Sequence, residues 1–160
     1  MQGELPMSHI LREKGLTLAE VILAAAIISV AVLAIVGLFP TALQNVRYGG
    51  HMSQASSLAQ EMIELIRTRP FADVSLYNNL DTRLPAPGGL PVPVLAHFTR
   101  WTNDIAPANP AGALPQGWGT VTVGAVAGGP PDLLQVTITV GWREAGNQTI
   151  TIVTYVARYG

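Results

Sequence analysis

Cysteine is absent from the 160 residues, so disulfides, thiolate metal sites and a cysteine nucleophile are excluded. Charge is scarce. Only 12% of residues are charged, 9 basic against 10 acidic, for a net charge of −1. That balance offers neither a broad basic field for nucleic acid nor an acidic one for cationic partners. There is no Gly-rich phosphate loop ahead of a helix, no nucleophile elbow around Ser8, Ser29, Ser53, Ser56, Ser57 or Ser75, and no obvious acid/base pair. Glu61 and Glu64, one helical turn apart, read as ordinary solvated carboxylates. What the chain has instead is apolar content, 49% of its residues, more than a compact core of this size accounts for.

Much of that content is in one place. Residues 1–15, MQGELPMSHILREKG, are polar and irregular, with Arg12 and Lys14 beside the boundary. They read as a cytoplasmic leader. Residues 21–39, VILAAAIISVAVLAIVGLF, carry no charge, and their one hydroxyl, Ser29, can bond back to a helix carbonyl. A bilayer core needs about 20 apolar residues, so this stretch is long enough to span one. Basic residues on the short N-terminal side favour that end staying inside and residues after Pro40 being exported, an asymmetry that Arg47 weakens. A secretory signal peptide fits poorly. Its apolar core is usually about 7–15 residues, and Phe39-Pro40-Thr41-Ala42 offers no A-x-A cleavage site. A plain single-span membrane protein with an intact N-terminus stays open.

After Pro40 the pattern becomes amphipathic. Ala55, Leu58, Ala59, Met62, Ile63 and Ile66 recur at three- and four-residue steps, with Gln54, Gln60, Glu61, Glu64 and Arg67 between them. Pro70 is the stop signal, and Arg67 and Arg69 suit the negative end of the helix dipole. Residues 16–69 thus predict one helix of about 80 Å, interrupted or softened at Gly37, Pro40 and Gly49-Gly50. Beyond Phe71 the spacing predicts strands at Val94–Ile105, Gly119–Val126, Leu133–Arg143 and Gln148–Arg158. Pro/Gly-rich loops are expected at 84–94 and 107–117. Leu134, Val136, Ile138, Val140 and Trp142 share one face of the third strand; Ile150, Ile152, Thr154 and Val156 share one face of the fourth. The short turn at 144–147 makes these two an antiparallel hairpin. The expected class is α+β, with a long N-terminal helix packed on a small antiparallel sheet. It divides into a leader (1–15), a transmembrane half-helix (16–40), an amphipathic half-helix (41–69) and a loop-rich sheet domain (70–160).

The boundary reads Lys14-Gly15-Leu16-Thr17-Leu18-Ala19-Glu20-Val21. With a charged leader before it and an apolar helix after it, this junction resembles the cleavage and methylation motif of type IV prepilins. The resemblance implies that a prepilin peptidase, a membrane aspartic protease, cuts between Gly15 and Leu16, where a residue without Cβ lets the chain lie close to the enzyme. Leu16 would become the N-methylated N-terminus. Most members of the family have Phe there, so Leu is a departure. The cut would remove Arg12, Lys14, Glu4 and Glu13, two of each sign, leaving the net charge at −1. Glu20, then the fifth residue, would pair with the amino terminus of a neighbouring subunit and set assembly register. The alternative for Glu20 is a headgroup position, or the first helical turn where the dipole favours an anion. Gly37 and Pro40 lie where the family helix commonly carries a breaker that melts in the filament; a kink at the membrane exit is the other reading.

SSLAQEMIELIRTRPF (56–71), LLQVTITVGW (133–142) and TITIVTYV (149–156) look like PilV-type minor pilins and the I-type minor pseudopilins of type II secretion. The likeness leaves 72–93 and 106–131 unaccounted for. It implies a non-enzymatic subunit without a cofactor, held in the bacterial inner membrane with its N-terminus cytoplasmic and its C-terminal domain periplasmic. Such a subunit is assembled into a pilus or pseudopilus for adhesion, motility, DNA uptake or secretion. Its implied partners are other pilins or pseudopilins, the prepilin peptidase, the inner-membrane assembly platform and the lipid bilayer; direct DNA binding is left open. The rival expectation is a membrane-anchored cell-surface binding module that never joins a filament.

The remaining chemistry-bearing residues are dispersed. His9, His51 and His97 have no metal-ligand spacing, and Asp73, Asp81, Asp104 and Asp132 read as surface groups outside any calcium-loop pattern, with calcium binding by a loop left open as the alternative. Trp142 continues an apolar strand face and is expected in the core. Trp118, between Gly117 and Gly119, is expected in a loop as an exposed contact.

Overall fold

The computed structural model describes residues 17–105, 114–144 and 146–158. The first element, α1, spans Leu18–Arg67. Between Glu20 and Arg47 it carries no charge, and the Ser29 hydroxyl donates to the Ala25 carbonyl at 2.7 Å, which satisfies that hydroxyl without leaving the helix. The interruption expected at Gly37, Pro40 and Gly49-Gly50 is not seen: α1 continues through all four. Pro40 lacks the N–H that would bond Val36, but the turns on either side keep their own bonds, so one proline leaves one carbonyl unpaired and does not end the helix. The helix ends three residues before Pro70, with the Thr68 N–H donating to Glu64 and the Arg69 N–H to Ile66.

The chain divides after Gln44 into two compact units. In the first, every large apolar side chain from Leu18 to Leu43 is at least 51% exposed. This segment is long and apolar enough to cross a membrane, and a helix apolar on all sides needs a nonaqueous cover.

The second unit has a buried core of its own. It contains the end of α1, a short helix α2 (Phe71–Val74) and a 3-10 turn (Ser75–Tyr77). There follow β1 (Leu80–Asp81), α3 (Val92–Ile105), β2 (Trp118–Ala125), β3 (Leu133–Arg143) and β4 (Asn147–Ala157). The sheet order is β1-β2-β3-β4, antiparallel throughout. The protein is therefore α+β, a long N-terminal helix packed with a small four-stranded antiparallel sheet. β3 and β4 form the expected hairpin, with Arg143 opposite Asn147 and Leu133 opposite Ala157. All six residues of the predicted stripe, Ala55, Leu58, Ala59, Met62, Ile63 and Ile66, are buried. They share one core with Val121 and Val123 of β2 and with Val136, Ile138, Val140 and Trp142 of β3.

One predicted strand is wrong. Val94–Ile105 is helical, and its buried residues are Val94, Phe98, Trp101 and Ile105. Those intervals of four, three and four are a helical period. The segment's β-branched and aromatic residues suggest a strand by propensity, but packing overrides so weak a preference. Pro93 is tolerated because it lies in the first turn, where backbone N–H groups have no helical partner. The buried Trp101 indole N–H donates to the Leu58 carbonyl at 3.0 Å, tying α3 to α1.

Candidate functional site

At the start of α1, the sequence Thr17-x-x-Glu20 closes a reciprocal cap. The Thr17 N–H donates to Glu20 Oε2 at 2.9 Å, the Thr17 hydroxyl reaches the same oxygen at 3.2 Å, and the Glu20 N–H donates to Thr17 Oγ1 at 3.2 Å. This is a capping box: two orphan donors of the first turn are satisfied, and an anion sits at the positive end of the helix dipole. Glu20 thus has partners within its own chain. The Thr-x-x-Glu spacing signals such a box, but Glu20 was expected only as an assembly, headgroup or first-turn residue, and its partner Thr17 was not identified. Gly15 and Leu16, the expected processing positions, lie outside the described residues. Gly37 and Pro40 lie within regular helix, and an added Cβ at Gly37 would meet nothing within 4 Å.

The second unit carries a different chemistry. Trp118 is not an exposed loop residue: it opens β2 and is half-buried. The Arg83 guanidinium lies 4.5 Å above its ring, and its indole lies so close to Gly141 that an added Cβ there would clash with it. Register explains the arrangement, since Trp118 and Gly141 are cross-strand partners and only a residue without a side chain accommodates the indole. Trp142 is buried in the core.

The histidines and aspartates separate into pairs. His51 Nδ1 lies 2.8 Å from Glu144, tying α1 to the β3–β4 turn. The Tyr77 hydroxyl meets His97 Nδ1 at 2.6 Å. Burial, then the charges of Arg69 and Arg100, lowers the His97 pKa, so the neutral ring accepts from the tyrosine. Burial also raises the Tyr77 pKa. Each of the four scattered aspartates faces an arginine: Asp73 with Arg69, Asp81 with Arg83, Asp104 with Arg100 and Asp132 with Arg158. The hydrogen bond from Arg83 lowers the Asp81 pKa. Among the described residues no three His, Asp or Glu converge as a metal site would require.

One grouping was not anticipated. Arg67, Arg69 and Arg158 line a cleft of ≈ 620 Å³ together with Phe71 and Tyr155. Arg67 and Arg69 were noted only as dipole-compatible residues at the end of a helix. Nothing in the local pattern links them to Arg158, which arrives through sheet register. No family model matches the chain, and comparison with curated proteins and with solved structures likewise finds no match.

Proposed function

We propose that this chain is a minor pilin or pseudopilin subunit, processed between Gly15 and Leu16 by a prepilin peptidase and drawn from the inner membrane into a type IV pilus-like filament. The observation that carries the reading is α1. Directly downstream of Lys14-Gly15-Leu16, one helix is apolar and uncovered before Gln44 and then supplies a six-residue core stripe to a sheet domain. Lipid covers the first segment in the precursor, and neighbouring apolar helices replace that lipid in the filament.

Glu20 has a role in both states. In the precursor its carboxylate completes the capping box with Thr17. Cleavage frees an ammonium at Leu16, and this cation pairs with Glu20 of an adjacent subunit. The pair offsets the cost of a carboxylate in apolar surroundings and sets register. Pro40, whose ring leaves the Val36 carbonyl unbonded, is the place at which the helix melts on assembly, with Gly37 beside it. Mass spectrometry of protein isolated from its native membrane tests the reading. The expected chain starts at Leu16 and carries one added methyl; a chain beginning at Met1 overturns it.

The capping box favours a second reading, because it gives Glu20 a function in an isolated chain. On that reading the protein is a membrane-anchored binding module outside any filament. Replacing Glu20 with Ala separates the two: filament assembly fails on the first, whereas membrane insertion and ligand binding persist on the second. The pilins that co-purify from native membranes assign the subunit to a pilus, a DNA-uptake system or a secretion system.

A further inference from the structure

The two edges of the sheet differ sharply. β1 is two residues long, whereas β4 has 11. Within β4, Asn147–Ala157, there is no charge and no proline. Edge strands are ordinarily protected by shortness, charge, proline or a bulge, because their unpaired N–H and C=O groups invite another strand. β1 has the first protection, while β4 has neither shortness nor charge nor proline, and its register with β3 is unbroken over all eleven residues. Its core-facing row is also incomplete. Val136, Ile138, Val140 and Trp142 of β3 are buried, but Ile150, Ile152, Thr154 and Val156 of β4 are only half-buried. Among the described residues the sheet ends there, one strand before its apolar layer is fully covered.

The arginine cleft lies at the C-terminal end of this edge. Its cations are loosely compensated. Arg67 meets Glu64 at 3.3 Å and Arg158 meets Asp132 at 3.6 Å, both pairs largely exposed. Arg69 has a firmer partner in Asp73 at 2.9 Å, but its Nε is buried without an acceptor. The Arg158 guanidinium also lies 5.0 Å above the Phe71 ring, which holds it beside the cleft.

We propose that β4 is a docking edge for an extended segment of a different protein, which adds as a fifth strand and places a carboxylate in the cleft of Arg67, Arg69 and Arg158. Backbone bonds supply the affinity of such an addition, alternate side chains its selectivity, and the arginines recognise the acid.

A second copy of this chain paired in parallel through β4 is disfavoured. Tyr48 contacts Gln148, His51 contacts Glu144 and Arg67 contacts Thr154, so α1 runs beside β4 in the same direction. A parallel pair would bring arginine cluster against arginine cluster.

The test uses the full chain in detergent and fluorescent eleven-residue peptides of alternating Thr and Val. Each has one Glu at its N-terminal or C-terminal end, with matched Gln versions, and binding is read by polarisation. One Glu peptide is expected to bind about tenfold more tightly than its Gln counterpart, and the difference should disappear in Arg67→Gln/Arg158→Gln protein of unchanged melting temperature. N-methylation of alternate peptide nitrogens should abolish binding in one phase and spare it in the other, as only strand addition requires. Equal affinity for Glu and Gln peptides, insensitivity to methylation phase, no binding, or a β4-paired homodimer overturns the proposal. Peptide binding requires no filament, so its failure leaves the N-terminal mass test standing and is distinguishable from failure of the pilin reading.

Discussion

The segment Leu18–Gln44 and the unit that follows it both contain a long stretch of α1, yet they satisfy their apolar side chains in opposite ways. The first is apolar on every side and buries none of them, so its surroundings must complete it. The second concentrates its apolar residues in a stripe and buries that stripe against its own sheet and α3. A helix can therefore change from environment-dependent to self-contained through side-chain arrangement alone, without a change in backbone.

The contrast can be broken from either side. Truncating Trp101 to Ala should cost the second unit about 3–5 kcal/mol, read by urea denaturation, because it empties a core position and removes the bond to Leu58. Membrane fractionation of that variant should be unchanged. Leu33→Arg should do the reverse. It penalises insertion of the first segment by about 2.5–3.5 kcal/mol, seen as loss from the membrane fraction, and leaves the melting temperature of the second unit unaltered. Gly119→Ala should cost about 1–3 kcal/mol, since a Cβ there collides with Trp101 and comes within 2.7 Å of Ile105 Cδ1; a denaturant midpoint shift measures it.

The smallest effect is that of pH. The pKa of His97 is lowered in the folded state, so the unfolded chain takes up its proton first. The His97 contribution is then intact above pH ~6.5 and stability falls as pH drops below that value. Asp81, also lowered, adds a loss in the carboxylate range, because its contribution is present above the unfolded pKa and disappears as the acid protonates. Melting temperature should fall by only a few degrees between neutral pH and the range just below the ordinary histidine value, and His97→Gln should flatten that part of the curve.

Legibility followed the same division. The six-residue stripe and the β3–β4 hairpin were readable because their periods, near 3.6 and 2, are local properties written in consecutive residues. The Thr17–Glu20 cap is equally local in its spacing, yet it went unread because the prepilin resemblance gives Glu20 an assembly role. The segment Val94–Ile105 was misread because Val, Thr, Phe and Trp satisfy strand propensity, while its true period at 94, 98, 101 and 105 emerges only when the core it faces is known. Trp118 was misplaced for a related reason. Its flanking glycines suggest a loop, but Gly119 makes room for Trp101, and across the sheet Gly141 makes room for Trp118 itself.

The sequence by itself determined that this protein has an uncharged helix able to span a bilayer, a junction resembling a prepilin cleavage motif, and an amphipathic continuation. Each depends on residues within a few turns of one another. Only the tertiary structure decided that β4 is an exposed edge and that Arg158 joins Arg67 and Arg69. Both depend on sheet order and register, which bring together groups almost a hundred residues apart, and no local spacing encodes that meeting.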